Sequence, residues 1–297
     1  MNNTKPHLAL IASNTIWALG YPIYSAIMPR YISPMAILTL SLCATAALAW
    51  GQFAWSRLSG AAQDKSVERG DIPKILIAAL LIGVLRKGFL IFGFSLTSTV
   101  DGSVIATLVP VIVFTISLLI GREKFSYVKS LGLALAISGV AAIVATSGAE
   151  HRATSSALGN TLIIVEVVAM SIYIVAMRPL FQKYSSATIL RWAYTISAIL
   201  ILPIGFDSMV STSYSTMSWQ TAAMVAYVVI MPTYIPNMLL NYALKSVDTT
   251  ITSLYGYLQP IIAISIAVAT GMDKLHWDSA IFAIMTLMGI TLVTRVK

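Results

Sequence analysis

Apolar runs of about twenty residues recur ten times along this chain, and short polar connections separate them. They fall near 8–28, 35–55, 74–95, 103–121, 128–147, 158–178, 188–206, 219–243, 250–270 and 277–295. A helix needs about 20 such residues to cross the roughly 30 Å hydrocarbon core of a bilayer. Lipid-exposed backbone must satisfy its own hydrogen bonds, so only helices fit these runs. The pattern predicts an all-α membrane protein with ten transmembrane helices. Composition agrees, because 58% of residues are hydrophobic and 10% charged, whereas a soluble domain carries about a quarter charged. Lipid must therefore be the solvent for most of the exterior.

The basic residues set an orientation. With a cytoplasmic N-terminus, the inner segments hold Lys5, Arg57, Lys65, Arg69, Lys74, Arg122, Lys124, Lys129, Arg178, Lys183, Arg191, Lys245, Arg295 and Lys297. Only Arg30, Arg152 and Lys274 fall outside, and Arg86 and Lys87 lie within a span. This bias predicts both termini on the cytoplasmic side of the cell membrane. It also explains the net charge of +8 without nucleic acid, since the cations are scattered over short loops and form no patch with interleaved aromatics. The first apolar run is as long as a full span and no small-residue cleavage site follows it, so a cleavable leader is not expected.

Cofactor and metal chemistry find little footing. Cys43 is the lone cysteine, and His7, His151 and His276 are far apart in the chain, so neither a disulfide framework nor a metal cluster is expected. No HExxH, phosphate loop, paired aspartates on one helix or Cys–His arrangement is present. A membrane-embedded enzyme is thus disfavoured, and uphill transport would need a proton or other ion gradient.

The strongest internal signal is a repeat at an offset of 150. Without gaps, Ser103, Leu108, Pro110, Ile112, Ile116, Gly121, Lys124 and Gly139 meet Ser253, Leu258, Pro260, Ile262, Ile266, Gly271, Lys274 and Gly289, and Glu123 meets Asp273. Each half, 1–147 and 158–297, holds five expected spans. An odd number inverts the second copy, giving two inverted five-helix repeats with a substrate site near the midplane between them. Glu123 and Asp273 then close helices at opposite faces, a structural role.

The runs SVIATLVPVIVFTISLLIGREKFSYVKSLGLALAISGVAAIVAT and SLYGYLQPIIAISIAVATGMDKLHWDSAIFAIMTLMGITLVTR resemble the EamA-type repeat of the drug/metabolite transporter superfamily. In that repeat a helix with a mid-span proline ends in Gly-x-Glu, and a helix with a late glycine follows. The opening SNTIWALGYPIY is similar to the family's first helix. The second helix, SPMAILTLSL, lacks the arginine common there, and Asp273 replaces the second Glu. The resemblance covers nearly the whole chain. It implies ten helices, alternating access and export or import of a small metabolite; a cavity with Lys or Arg, Glu, Asn and aromatics suits one that is amino-acid-like or amphipathic, and an exporter is expected. A channel or lipid scramblase would share a polar cavity and remains the alternative.

Candidate site residues follow from what lipid penalises. A charge at the bilayer centre costs about 2.5–3.5 kcal/mol on insertion scales. Arg86 and Lys87 lie deep in the third span and Glu166 near the middle of the sixth. They form either a packing ion pair or a substrate and proton-coupling site, with Glu166 as the proton candidate. Lys87 is expected to face the cavity with Arg86 flanking it, because adjacent helical residues diverge by about 100°. In the first span Asn14, Trp17, Tyr21 and Tyr24 share one face. Asn14, Trp17 and Tyr21 are substrate-binding candidates, although a tyrosine belt at the interface would produce the same pattern. Tyr234, Asn237 and Asn241 near Pro232 and Pro236, and Tyr255 and Gln259 beside Pro260, complete the set. Each amide could instead be an interhelical hydrogen bond.

Overall fold

The computed structural model describes residues 4–59, 66–121, 126–145, 156–271 and 277–295. Ten helical rods account for nearly all of them, with no strand among the described residues. The rods are α1 (Thr4–Ile27), α2 (Pro34–Leu58), α3 (Arg69–Phe94), α4 (Thr99–Leu119), α5 (Tyr127–Ala145), α6 (Ala157–Ala176), α7 (Ser186–Val210), α8 (Trp219–Ala243), α9 (Ile251–Ala269) and α10 (Trp277–Arg295). Seven of them, α2, α3, α4 and α6 to α9, are long and apolar enough to cross a membrane. The chain is a multi-pass α-helical membrane protein. Glu123, Lys124, Asp273 and Lys274 lie outside the described residues.

Serines start the rods. Ser33, Ser98, Ser156, Ser185 and Ser218 each accept a hydrogen bond from the backbone N–H three residues on, at the heads of α2, α4, α6, α7 and α8. A buried helix end needs this, because its first N–H groups have no intrahelical acceptor. Gly121 and Gly271 stand at the ends of α4 and α9 with φ of 73° and 69°, a region that favours glycine. They are one of the pairs that the 150-residue offset aligns.

Four rods are irregular near mid-height, in matching pairs. In α4 the helix breaks at Thr107–Leu108, and in α9 it tightens to a 3₁₀ turn over Tyr255–Tyr257. Both breaks precede the aligned prolines Pro110 and Pro260, whose rings exclude the carbonyl four residues back. Residues Ala79–Arg86 of α3 form a π-helical segment, and α8 opens at Met231–Tyr234 beside Pro232. Packing repeats in the same way. Rod α1 lies on α8 and α9, while α6 lies on α3 and α4. Rod α7 meets α3 as α2 meets α8, and α2–α7, α4–α9 and α5–α10 pair directly. Exchanging each rod with the one five places away reproduces this set.

The α5–α10 crossing rests on the second aligned glycine pair. A Cβ on Gly139 would lie 2.4 Å from Thr286 Oγ1, and one on Gly289 would lie 2.4 Å from both Ala136 N and Gly132 O. The latter neighbours are backbone, so relief requires the rods to part. Gly289→Leu is expected to destabilise the protein by about 3 kcal/mol, at the upper end for overpacking. Gly51→Leu, where a Cβ meets nothing within 4 Å, should be close to neutral. Thermal unfolding in detergent checks both, and equal midpoints would refute the close crossing.

Candidate functional site

The irregular segments surround a small polar cavity at the centre. Its walls include Asn14, Trp17 and Tyr21 from α1, Arg86 from α3, Glu166 from α6, and Thr252, Ser253 and Gln259 from α9. Its volume is about 30 Å³, room for about one water. Any larger occupant requires the surrounding rods to separate.

Two charges dominate the cavity. Arg86 Nε lies 3.2 Å from Glu166 Oε1, and both residues are 4% exposed. The Arg86 guanidinium also sits over the Trp17 ring, 4.6 Å from its centre. Trp17 is held in turn by its indole N–H, which donates to the carbonyl of Pro232 at 2.9 Å. That carbonyl lies in the opening of α8, where the regular ladder is interrupted.

A relay of polar side chains lines the cavity beside this pair. Tyr21 donates its hydroxyl to Gln259 Oε1 at 2.5 Å, and Gln259 Nε2 donates to Asn14 Oδ1 at 2.5 Å. Asn14 Nδ2 donates to the carbonyl of Leu10 at 2.7 Å. The relay ties α1 to α9 across the two halves of the chain. Arg86, Glu166, Trp17, Tyr21, Asn14 and Gln259 are therefore brought together from four rods.

The remaining candidates go elsewhere. Lys87 does not line the cavity. Its ammonium donates to the Tyr24 hydroxyl at 2.7 Å, and Tyr24 donates to the carbonyl of Val228 at 3.2 Å. The geometry thus reverses the expected roles of the two adjacent cations. The reason is the π-helical segment that ends at Arg86, since its wider turn shifts the register on which an ideal-helix projection depends. Asn237 donates to the Tyr194 hydroxyl at 3.0 Å and to the carbonyl of Thr233 at 2.5 Å. Asn241 accepts from the Tyr173 hydroxyl at 3.2 Å, and Tyr234 bonds Gln52. Tyr255 pairs with His7 Nδ1 at 2.6 Å. These four side chains join neighbouring rods and are not among the cavity walls.

Thr252 and Ser253 are cavity residues that the sequence reading passed over. Hydroxyls in a lipid-buried helix commonly bond back to their own turn, so their type alone gives no signal. Ser253 does carry one, because it is the aligned partner of Ser103, which is also buried.

Comparisons with known proteins agree with this architecture. The sequence matches the EamA-like transporter family in two segments, residues 4–145 and 157–295. An uncharacterized transporter of Archaeoglobus fulgidus is 25% identical over 294 residues, covering 98% of each chain. A protein of Streptantibioticus cattleyicolor described as a probable terminal-alkyne amino-acid exporter is 24% identical over 270 residues, 90% of this chain and 86% of that one. A solved crystal structure superposes with a TM-score of 0.64 over 99% of this chain and 98% of its own, at 17% identity. That last likeness is one of fold.

Proposed function

The chain belongs to the EamA-like transporter family, and from that premise we propose that it is a secondary carrier exporting a small amino-acid-like metabolite. It crosses the cytoplasmic membrane ten times, as two inverted five-helix repeats over residues 1–147 and 158–297. Both termini are cytoplasmic, and the substrate passes by alternating access through the central cavity.

The observation that carries this reading is the Arg86–Glu166 pair in a cavity of about 30 Å³. A zwitterion presents one carboxylate and one ammonium. Entering between the pair, it can offer its carboxylate to Arg86 and its ammonium to Glu166, so no buried charge loses a partner. A singly charged ligand would leave one of them uncompensated, at several kcal/mol. Asn14, Tyr21 and Gln259 offer polar groups in the same cavity, and Trp17 supplies an aromatic face. The exporter relative supports an amino-acid-like substrate. Exchange of rods five places apart, as seen in their packing, supports the inverted repeat.

The test is counterflow in proteoliposomes, with amino acids first ranked by thermal shift. Saturable uptake of labelled substrate, stimulated by unlabelled substrate inside, is expected. Flux that neither saturates nor responds to the trans side would make the protein a pore. Reporter fusions after Lys297 and within residues 211–218 should give cytoplasmic and external signals respectively, and the reverse would overturn the topology.

A further inference from the structure

Two prolines four residues apart in α8 each leave a carbonyl without its helical partner. Pro232 has no N–H for the carbonyl of Val228, and Pro236 has none for the carbonyl of Pro232. Rod α1 takes up both. Tyr24 donates its hydroxyl to the Val228 carbonyl at 3.2 Å, and Trp17 donates its indole N–H to the Pro232 carbonyl at 2.9 Å. Gly20 lies between them and permits the approach, since a Cβ there would stand 3.3 Å from the Pro232 ring. Each aromatic in turn holds one of the adjacent cations of α3. The Arg86 guanidinium lies 4.6 Å from the centre of the Trp17 ring, and the Lys87 ammonium lies 2.7 Å from the Tyr24 hydroxyl.

The same arrangement of cation, aromatic and freed carbonyl therefore occurs twice. The levels are about 6–10 Å apart, four residues along α8 and seven along α1. Tyr24 is near the end of α1 and Val228 is nearer the start of α8, so the Lys87 level lies toward the face assigned to the outside. The two levels differ in one respect. Arg86 has the carboxylate of Glu166 as its counterion. Lys87 is 3% exposed and forms no ion pair among the described residues. Its ammonium carries three N–H donors, and the acceptor it meets is a neutral hydroxyl. A buried charge held by one neutral hydrogen bond is poorly compensated. The second level is thus built like the first and lacks the anion.

We propose that Lys87 is a second station for a carboxylate, taking the substrate's carboxylate group from Arg86 as α1, α3 and α8 part toward the outer face. This rests on the zwitterionic substrate read from the Arg86–Glu166 pair. The residue types suit the order. A planar guanidinium holds a carboxylate in fork geometry, whereas an ammonium is a compact charge on a flexible stem that can follow an anion and release it. Without Lys87, a carboxylate leaving Arg86 would cross the outer part of the bundle with no countercharge.

Thiol labelling of the full-length protein from the outer side tests this, with Ser25→Cys in a Cys43→Ala background. The Ser25 hydroxyl donates to the carbonyl of Phe94, seven residues beyond Lys87 on α3, so position 25 lies between α1 and α3 outward of Lys87. The probes are the anionic sulfonatoethyl and the cationic trimethylammonioethyl methanethiosulfonates. Lys87→Gln should lower the ratio of anionic to cationic labelling about tenfold, the low end of what a charged site adds to local counterion concentration. Lys87→Arg should keep the ratio. Acetate at tens of millimolar should slow the anionic reagent when Lys87 is present, and chloride at equal ionic strength should not. Should Lys87→Gln fail to fold, the comparison of acetate with chloride still decides. An unchanged ratio, equal protection by chloride, or no labelling by either reagent would overturn the station. No transport is measured, so a protein that passes this test and fails counterflow keeps the carboxylate station and loses the carrier reading.

Discussion

Glu166→Gln is expected to lose gradient-driven accumulation of substrate entirely, while equilibrium exchange continues at saturating substrate with a raised KM, because the substrate ammonium loses its charged partner. The motive is the Arg86–Glu166 pair, the two charges that line the central cavity. If Glu166 carries a proton through the transport cycle, a neutral amide at that position stops net proton movement. Exchange needs no net movement and so survives. Stability should respond as well, and asymmetrically. Removing one member of a buried pair costs about 3–5 kcal/mol. An orphaned carboxylate can escape part of that cost by binding a proton, but an orphaned guanidinium cannot give one up. The stacking of Arg86 on Trp17 is worth about 2 kcal/mol at most, too little to compensate. Glu166→Gln should therefore unfold at a lower temperature than Arg86→Gln, and the double replacement should recover most of the loss. A double variant that regained transport as well as stability would reduce the pair to packing and defeat the coupling role.

The same pair shows what could be read without coordinates. Arg86, Lys87 and Glu166 stand out because lipid penalises charge wherever it is placed, whatever the local geometry. Which of the two cations pairs with Glu166 does not stand out, because it depends on a π-helical turn over Ala79–Arg86 that no residue type announces. Asn14 and Gln259 were legible as polar groups in apolar runs, and they meet across the α1–α9 contact. Asn237 and Asn241 gave the same signal but serve Tyr194 and Tyr173 instead. An amide satisfied by a neighbouring rod and one facing a cavity are alike in sequence, since both answer the same unsatisfied-polar cost. The prolines were more informative. Pro110 and Pro260 mark breaks at aligned positions in α4 and α9, because a ring that removes a backbone donor acts locally and does not need tertiary context.

Bridging residues 68 and 183 with a reducible bifunctional thiol reagent is expected to stop transport, and reduction should restore it. The experiment uses Glu68→Cys and Lys183→Cys in a Cys43→Ala background. Lys183 reaches Glu68 Oε2 and Asp71 Oδ2, each at 2.6 Å, and the Tyr184 hydroxyl donates to Asp71 Oδ2 at 2.9 Å. Glu68 and Asp71 belong to the first half of the chain, and Lys183 and Tyr184 to the second, so this cluster joins the halves at the face assigned to the cytoplasm. A spacer is needed because long side chains make the contact, while a direct disulfide requires Cα atoms within about 7 Å. The carboxylates of Asp71 and Glu68 hold the Lys183 ammonium above the usual lysine range. The contribution of this lysine is then full at neutral pH and is lost only as pH rises through that raised value. Ordinary pH changes should not open the cluster, whereas salt should weaken it, since Glu68 and Lys183 are solvent-facing and exposed pairs are screened. Such a contact is too weak to fix the fold and weak enough to break in every cycle, as a gate between moving halves requires. Lys183→Gln should accordingly leave the unfolding temperature nearly unchanged while making the central cavity more accessible to thiol reagents from this face, read at a cysteine placed at Thr252. Full transport with the bridge in place would show that the halves do not separate here, and would move the gate elsewhere.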